Sequence, residues 1–74
     1  MQAAEAFRDN VRSELNAQNL SISALARAAG IQQANMSRIL SGSESVTLQR
    51  AERISEALGK RLSELLESHA VASN

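Results

Sequence analysis

Phe7, Val11 and Leu15 recur every four residues near the start of the chain, with Arg8, Asp9, Arg12 and Glu14 between them. That spacing gathers the apolar side chains on one stripe and predicts an amphipathic helix from Ala3 to Gln18. Asn16 to Asn19 is polar and reads as the exit turn. Ser21 then stands as an N-cap before a short, Ala-rich helix from Ile22 to Ala29. A third helix is predicted from Gln33 to Leu40, burying Met36, Ile39 and Leu40. Thr47 caps a fourth, Leu48 to Leu58, with Leu48, Ala51, Ile54 and Leu58 as its inward stripe. A fifth, Leu62 to Ser68, carries Leu62, Leu65 and Leu66. Gly30, Gly42 and Gly59 each follow one of these patterns directly, at the position where glycine stops helices. No proline interrupts them. The expectation is an all-α fold of five helices, one domain over 1–69 and a flexible C-terminal tail over 70–74.

Composition narrows the chemistry. A chain of 74 residues with 43% hydrophobic content holds one packed domain. With no cysteine there is neither a disulfide framework nor a thiolate metal site. His69 is the sole histidine, which argues against a His-rich zinc site and a Ser-His-Asp triad. Eleven serines are present, but none sits in a G-x-S-x-G elbow. P-loop, G-x-G-x-x-G and H-E-x-x-H motifs are also missing. The expectation is a non-enzyme with no cofactor, no metal and no small-molecule ligand. No apolar run reaches the ~18 residues of a membrane span. The opening MQAAEAFRDN lacks the basic and apolar regions of a secretory signal, so a cytoplasmic protein is expected.

Charge is balanced, with eight Lys+Arg against eight Asp+Glu. The count by itself disfavours a phosphate partner. The distribution is less even: Arg27, Arg38, Arg50 and Arg53 outnumber Glu44 and Glu52 between Ser21 and Arg53. Seven of the eight cations are arginine, the side chain suited to forked contacts with phosphate or guanine. An ordinary solvated surface accounts for the asymmetry equally well.

The stretch from Ile22 to Ser41 carries the most information. Two helices joined by a three-residue turn cross steeply only if a small residue sits at the contact and the turn tolerates positive φ. Ala26 and Gly30 meet those needs. Leu25, Ala29, Ile31, Met36 and Ile39 stand where locking contacts belong. The pattern resembles the helix-turn-helix of the Cro/repressor (XRE) family. LSISALARAAGI is similar to that family's second helix and turn, and QQANMSRILSG to its recognition helix and closing glycine. SVTLQRAERISEALGKRLSELL is similar to the fourth and fifth helices. The sequence departs at Ile22, where phage members commonly carry a phosphate-holding Gln, at Glu44 in a loop that is often basic, and at Lys60-Arg61.

The resemblance implies a compact lambda-repressor-like domain of phage or bacterial type that binds duplex DNA as a homodimer and represses transcription. On the third helix, Ala34, Ser37, Arg38 and Ser41 point away from the buried face, with Gln33 at their edge. Family members read bases with the first residues of this helix, which makes Gln32, Gln33, Ala34, Ser37 and Arg38 the base-reading set. Ser21, Ser23, Asn35 and Ser43 are the candidate phosphate contacts, although Ser21 serves equally as a cap. Arg50 and Arg53 flank DNA or, the favoured reading, pair with Glu52 and Glu56. Docking two subunits on a pseudo-palindromic operator requires an interface away from the third helix. Lys60, Arg61 and Leu66, with His69 nearby, are its candidates; alternatively Leu66 packs on the first helix. Two other roles stay open. One is an antitoxin or controller protein that autoregulates its operon. The other is a protein-interaction module of the same fold without DNA binding, which the neutral charge, Ile22 and Glu44 favour.

Overall fold

Phe7, Val11, Leu25, Met36, Ile39 and Ile54 are the largest side chains closed off from solvent, and each of the first four helices contributes at least one. The computed structural model describes residues 3–67. Its elements are α1 (Ala3–Ala17), α2 (Ile22–Ala29), α3 (Gln33–Ser41), α4 (Leu48–Leu58) and α5 (Leu62–Leu65), with no strand among the described residues. No helix is long and apolar enough to cross a membrane, among the described residues. The α2 helix packs on α3 and α4, while α1 closes over α3 and α5. Local chemistry starts α2 and α4 as expected. Ser21 Oγ accepts from the Ala24 N–H at 3.0 Å, and Thr47 Oγ1 from the Arg50 N–H at 3.2 Å.

Two expectations need correction. The α4 stripe predicts an inward Leu48, yet it is 69% exposed. It occupies the first turn of α4, at the rim of a shallow groove that Phe7, Leu62 and Leu66 also line. Leu62 is only partly buried. The fifth helix ends at Leu65, short of the expected Ser68. The reason lies far along the chain: Asn10 Nδ2 donates to the carbonyl oxygens of Leu65 and Glu67 at 2.7 and 2.6 Å. His69 and the 70–74 tail lie outside the described residues.

Polar side chains of α1 and its exit turn hold other helix ends as well. Arg12 Nη2 donates to the Leu40 carbonyl at 2.6 Å, in the last turn of α3. Gln18 Nε2 donates to the Leu58 carbonyl at 2.9 Å, at the end of α4. Carbonyls in the last turn of a helix lack intrahelical partners, so each contact satisfies an acceptor the helix itself leaves open.

Candidate nucleic-acid interface

The α2–α3 turn is built as a steep corner. Gly30 takes φ +71°, a left-handed value that costs glycine little, and the Ile31 N–H then reaches back to the Ala26 carbonyl at 2.9 Å. Ala26, where the helices meet, is 2% exposed. Leu25, Ala29 and Ile31 are buried beside it, and Met36, Ile39 and Leu40 anchor α3 from below. With that face committed to the core, Gln32, Gln33, Ala34, Ser37, Arg38 and Ser41 are all exposed. At nine residues, α3 is about 13 Å long, close to the ~12 Å width of a duplex major groove.

The side chains on this surface are partly arranged by one another. Ser23 Oγ donates to Gln33 Oε1 at 3.1 Å, across the turn from α2 to α3. That bond turns the Gln33 amide while its NH₂ group stays free to donate. Gln32 is the N-cap of α3 and makes no side-chain cap bond, so the first N–H groups of α3 are not closed off by it. Ser21 uses its oxygen as an acceptor for the α2 cap, and its hydroxyl proton remains available. Ser43 shares a 3.1 Å hydrogen bond with Ser41.

Arg38 is the most engaged of these residues. Its Nε donates to Glu44 Oε1 at 3.0 Å, and its Nη2 to Asn35 Oδ1. Glu44 Oε2 accepts from Arg50 Nη1, also at 3.0 Å. The pairing expected for Arg50, with Glu52 and Glu56 on its own helix, is therefore corrected: the loop beyond Gly42 brings Glu44 up to it instead. Hydrogen bonding from Arg38, with Arg50 adding to it, holds the Glu44 carboxyl below the usual carboxylate range. In the sequence Glu44 stands only as an acid in a loop. No helical spacing signals its contacts with Arg38 and Arg50, each six residues away, because the path of the loop after Gly42 creates them.

The remaining candidates sit apart from α3. Lys60 Nζ pairs with Glu14 at 3.6 Å and lines a recess with Asn10 and Glu64, whereas Leu66 lines the apolar groove beside Leu48. Leu66 is 41% exposed. Arg61 caps α5, and its N–H donates to Glu64 Oε1 at 2.9 Å.

This corner, with an anchored helix presenting a polar face, agrees with a direct comparison. A family model for the Cro/C1-type HTH DNA-binding domain matches residues 10–70. The chain belongs to this family. Searches of curated proteins and of solved structures gave no match. The Cro/C1-type match takes in α2 and α3 whole, and with them all the exposed α3 residues described above. As a Cro/C1-type domain the chain is a DNA-binding regulator, and its family is not one of enzymes.

Proposed function

We propose that the chain is a sequence-specific repressor that binds a pseudo-palindromic operator as a homodimer, with α3 in the major groove. The observation carrying this reading is the division of α3: Met36, Ile39 and Leu40 are buried while Gln32, Gln33, Ala34, Ser37 and Arg38 are exposed together. Each exposed type has a base it suits. Glutamine bridges adenine N6 and N7, arginine forks onto guanine O6 and N7, and an alanine methyl meets the thymine methyl. Ser21, Ser23, Asn35 and Ser43 are the proposed phosphate contacts, at or near helix ends where short donors and backbone N–H groups serve phosphate. Repression follows from occupancy, a bound dimer excluding polymerase from an overlapping promoter.

One short helix offers few base contacts, and a second copy doubles them. The proposed interface centres on Leu66, with Lys60 and Arg61 as polar neighbours. Leu48 joins it, because its exposed side chain lines the same groove. The test is selection of bound duplexes from a random pool. The expected product is a two-fold symmetric sequence with half-sites about one turn, ~34 Å, apart. Recovery of no enriched sequence at low salt defeats the proposal and leaves the protein-interaction module as the reading of this fold.

A further inference from the structure

Arg38 is the α3 side chain best suited to fork onto guanine, and it is also the one most tightly held by the chain itself. A guanidinium offers five N–H donors in one plane. Glu44 takes the Nε hydrogen and Asn35 one hydrogen of Nη2. Among the described residues nothing takes the other three, two on Nη1 and one on Nη2. Both terminal nitrogens thus keep a donor, and a parallel pair of such donors is the shape that matches guanine O6 and N7.

Glu44 is held in place from three directions. Its N–H donates to the Arg38 carbonyl at 3.2 Å, as do those of Gly42 and Ser43 at 3.1 Å each. The loop therefore returns its carboxylate onto the very residue it leaves. Arg50 on α4 holds the other carboxylate oxygen. The Arg50 contact and the turn both favour a carboxylate placed beside Arg38.

We propose that Glu44 is a positioning residue for DNA specificity: it fixes Arg38 end-on for a guanine edge and offsets charge that would otherwise attract any phosphate. The inference rests on α3 being the reader. Two physical effects act in the same direction. A pinned guanidinium meets an in-plane pair of acceptors without further ordering, so a guanine contact forms at reduced entropic cost. A phosphate drawing Arg38 sideways must displace a carboxylate first. Non-specific affinity comes from cations that neutralise phosphates, and this chain carries only eight. Withholding Arg38 from that pool weakens random binding more than specific binding.

The test compares wild type with Glu44→Gln on the selected duplex and on a random duplex of equal length, by fluorescence polarisation across a salt series. Exposed ion pairs contribute little to folding, so the variant stays helical, which far-UV circular dichroism verifies. Random-duplex affinity is expected to rise and the specific-to-random ratio to fall by about fivefold or more, the low end of one bidentate base contact. The lost preference is expected at the base that Arg38→Ala also relaxes. The random-duplex salt slope is expected to steepen by about 0.9 per subunit, the value of one added phosphate contact. In an Arg38→Ala background the same substitution is expected to leave the ratio unchanged. An unaltered ratio in the single variant, or an equal change in both backgrounds, overturns the role of Glu44. If Arg38→Ala relaxes the preference and Glu44→Gln does not, only the Glu44 inference falls. If wild type shows no preference, the α3 reading falls and takes this one with it.

Discussion

Arg12 and Leu40 are joined by a 2.6 Å hydrogen bond from guanidinium to carbonyl, which ties the middle of α1 to the last turn of α3. Arg12→Met keeps the aliphatic stem and removes the donor. The expected loss is about 1–2 kcal/mol, the range of a charge-assisted bond with partial solvent access. Urea denaturation measures it; an unchanged midpoint shows that water replaces the arginine without cost.

Gly30→Ala tests the corner. An added Cβ at Gly30 meets no atom within 4 Å, so the penalty comes from its φ of +71° alone. A loss of about 1–2 kcal/mol is expected, with Gly30→Asn recovering part of it because asparagine tolerates left-handed backbone. Thermal denaturation of both variants checks the order.

Core and surface of α3 separate cleanly by substitution. Met36 is fully shut off from solvent, and Met36→Ala should cost roughly 2–5 kcal/mol through the cavity it leaves. Gln33→Ala and Arg38→Ala should keep wild-type helicity while each weakens specific binding by about 1–3 kcal/mol at one base position. If both retain full affinity and preference, α3 is not the reader.

Acid titrates the loop. The Glu44 carboxyl is lowered chiefly by hydrogen bonding from Arg38, and that of Glu64 by the Arg61 N–H. A depressed folded value means that the charged form stabilises the fold. That contribution is complete above the unfolded carboxylate value, about 4.3, and is lost as pH falls through the lower folded value. Below about pH 4, stability should therefore decline less steeply in Glu44→Gln than in wild type. Parallel acid profiles from urea titrations contradict this.

Leu66→Arg tests the proposed dimer surface. Leu66 is 41% exposed, so the variant should stay helical but sediment as a monomer and lose cooperative binding. Leu48→Arg should do the same, since Leu48 is more exposed still. Loss of helicity in Leu66→Arg assigns that side chain to the core, and dimers in both variants move the interface elsewhere.

The sequence made α2 and α4 legible to the residue, because their signals are local: a hydroxyl that accepts an N–H three residues on, and a glycine that closes the last turn. The exposed face of α3 was legible for a related reason, since burying Met36, Ile39 and Leu40 leaves Arg38 no inward direction; Gln33, at the edge of that face, is exposed in the first turn. Features set by distant residues were not legible. The end of α5 depends on Asn10, 55 residues before Leu65, and no period along the chain encodes that contact. Leu48 fits the α4 stripe by angle, yet its exposure depends on how far neighbouring helices extend. The partner of Arg50 depends on the path of the loop after Gly42, which a helical repeat does not describe.

Asn10, Arg12 and Gln18 lie within nine positions of one another and close the ends of α5, α3 and α4 in turn. Detaching that stretch opens three helix termini at once and uncovers Phe7 and Val11 with them. What remains then loses apolar cover and C-terminal hydrogen-bond partners together, so partial melting gains little over complete melting. The amides of α3 should accordingly exchange with solvent through the same global opening as those of α1, which makes α3 as durable as the whole molecule.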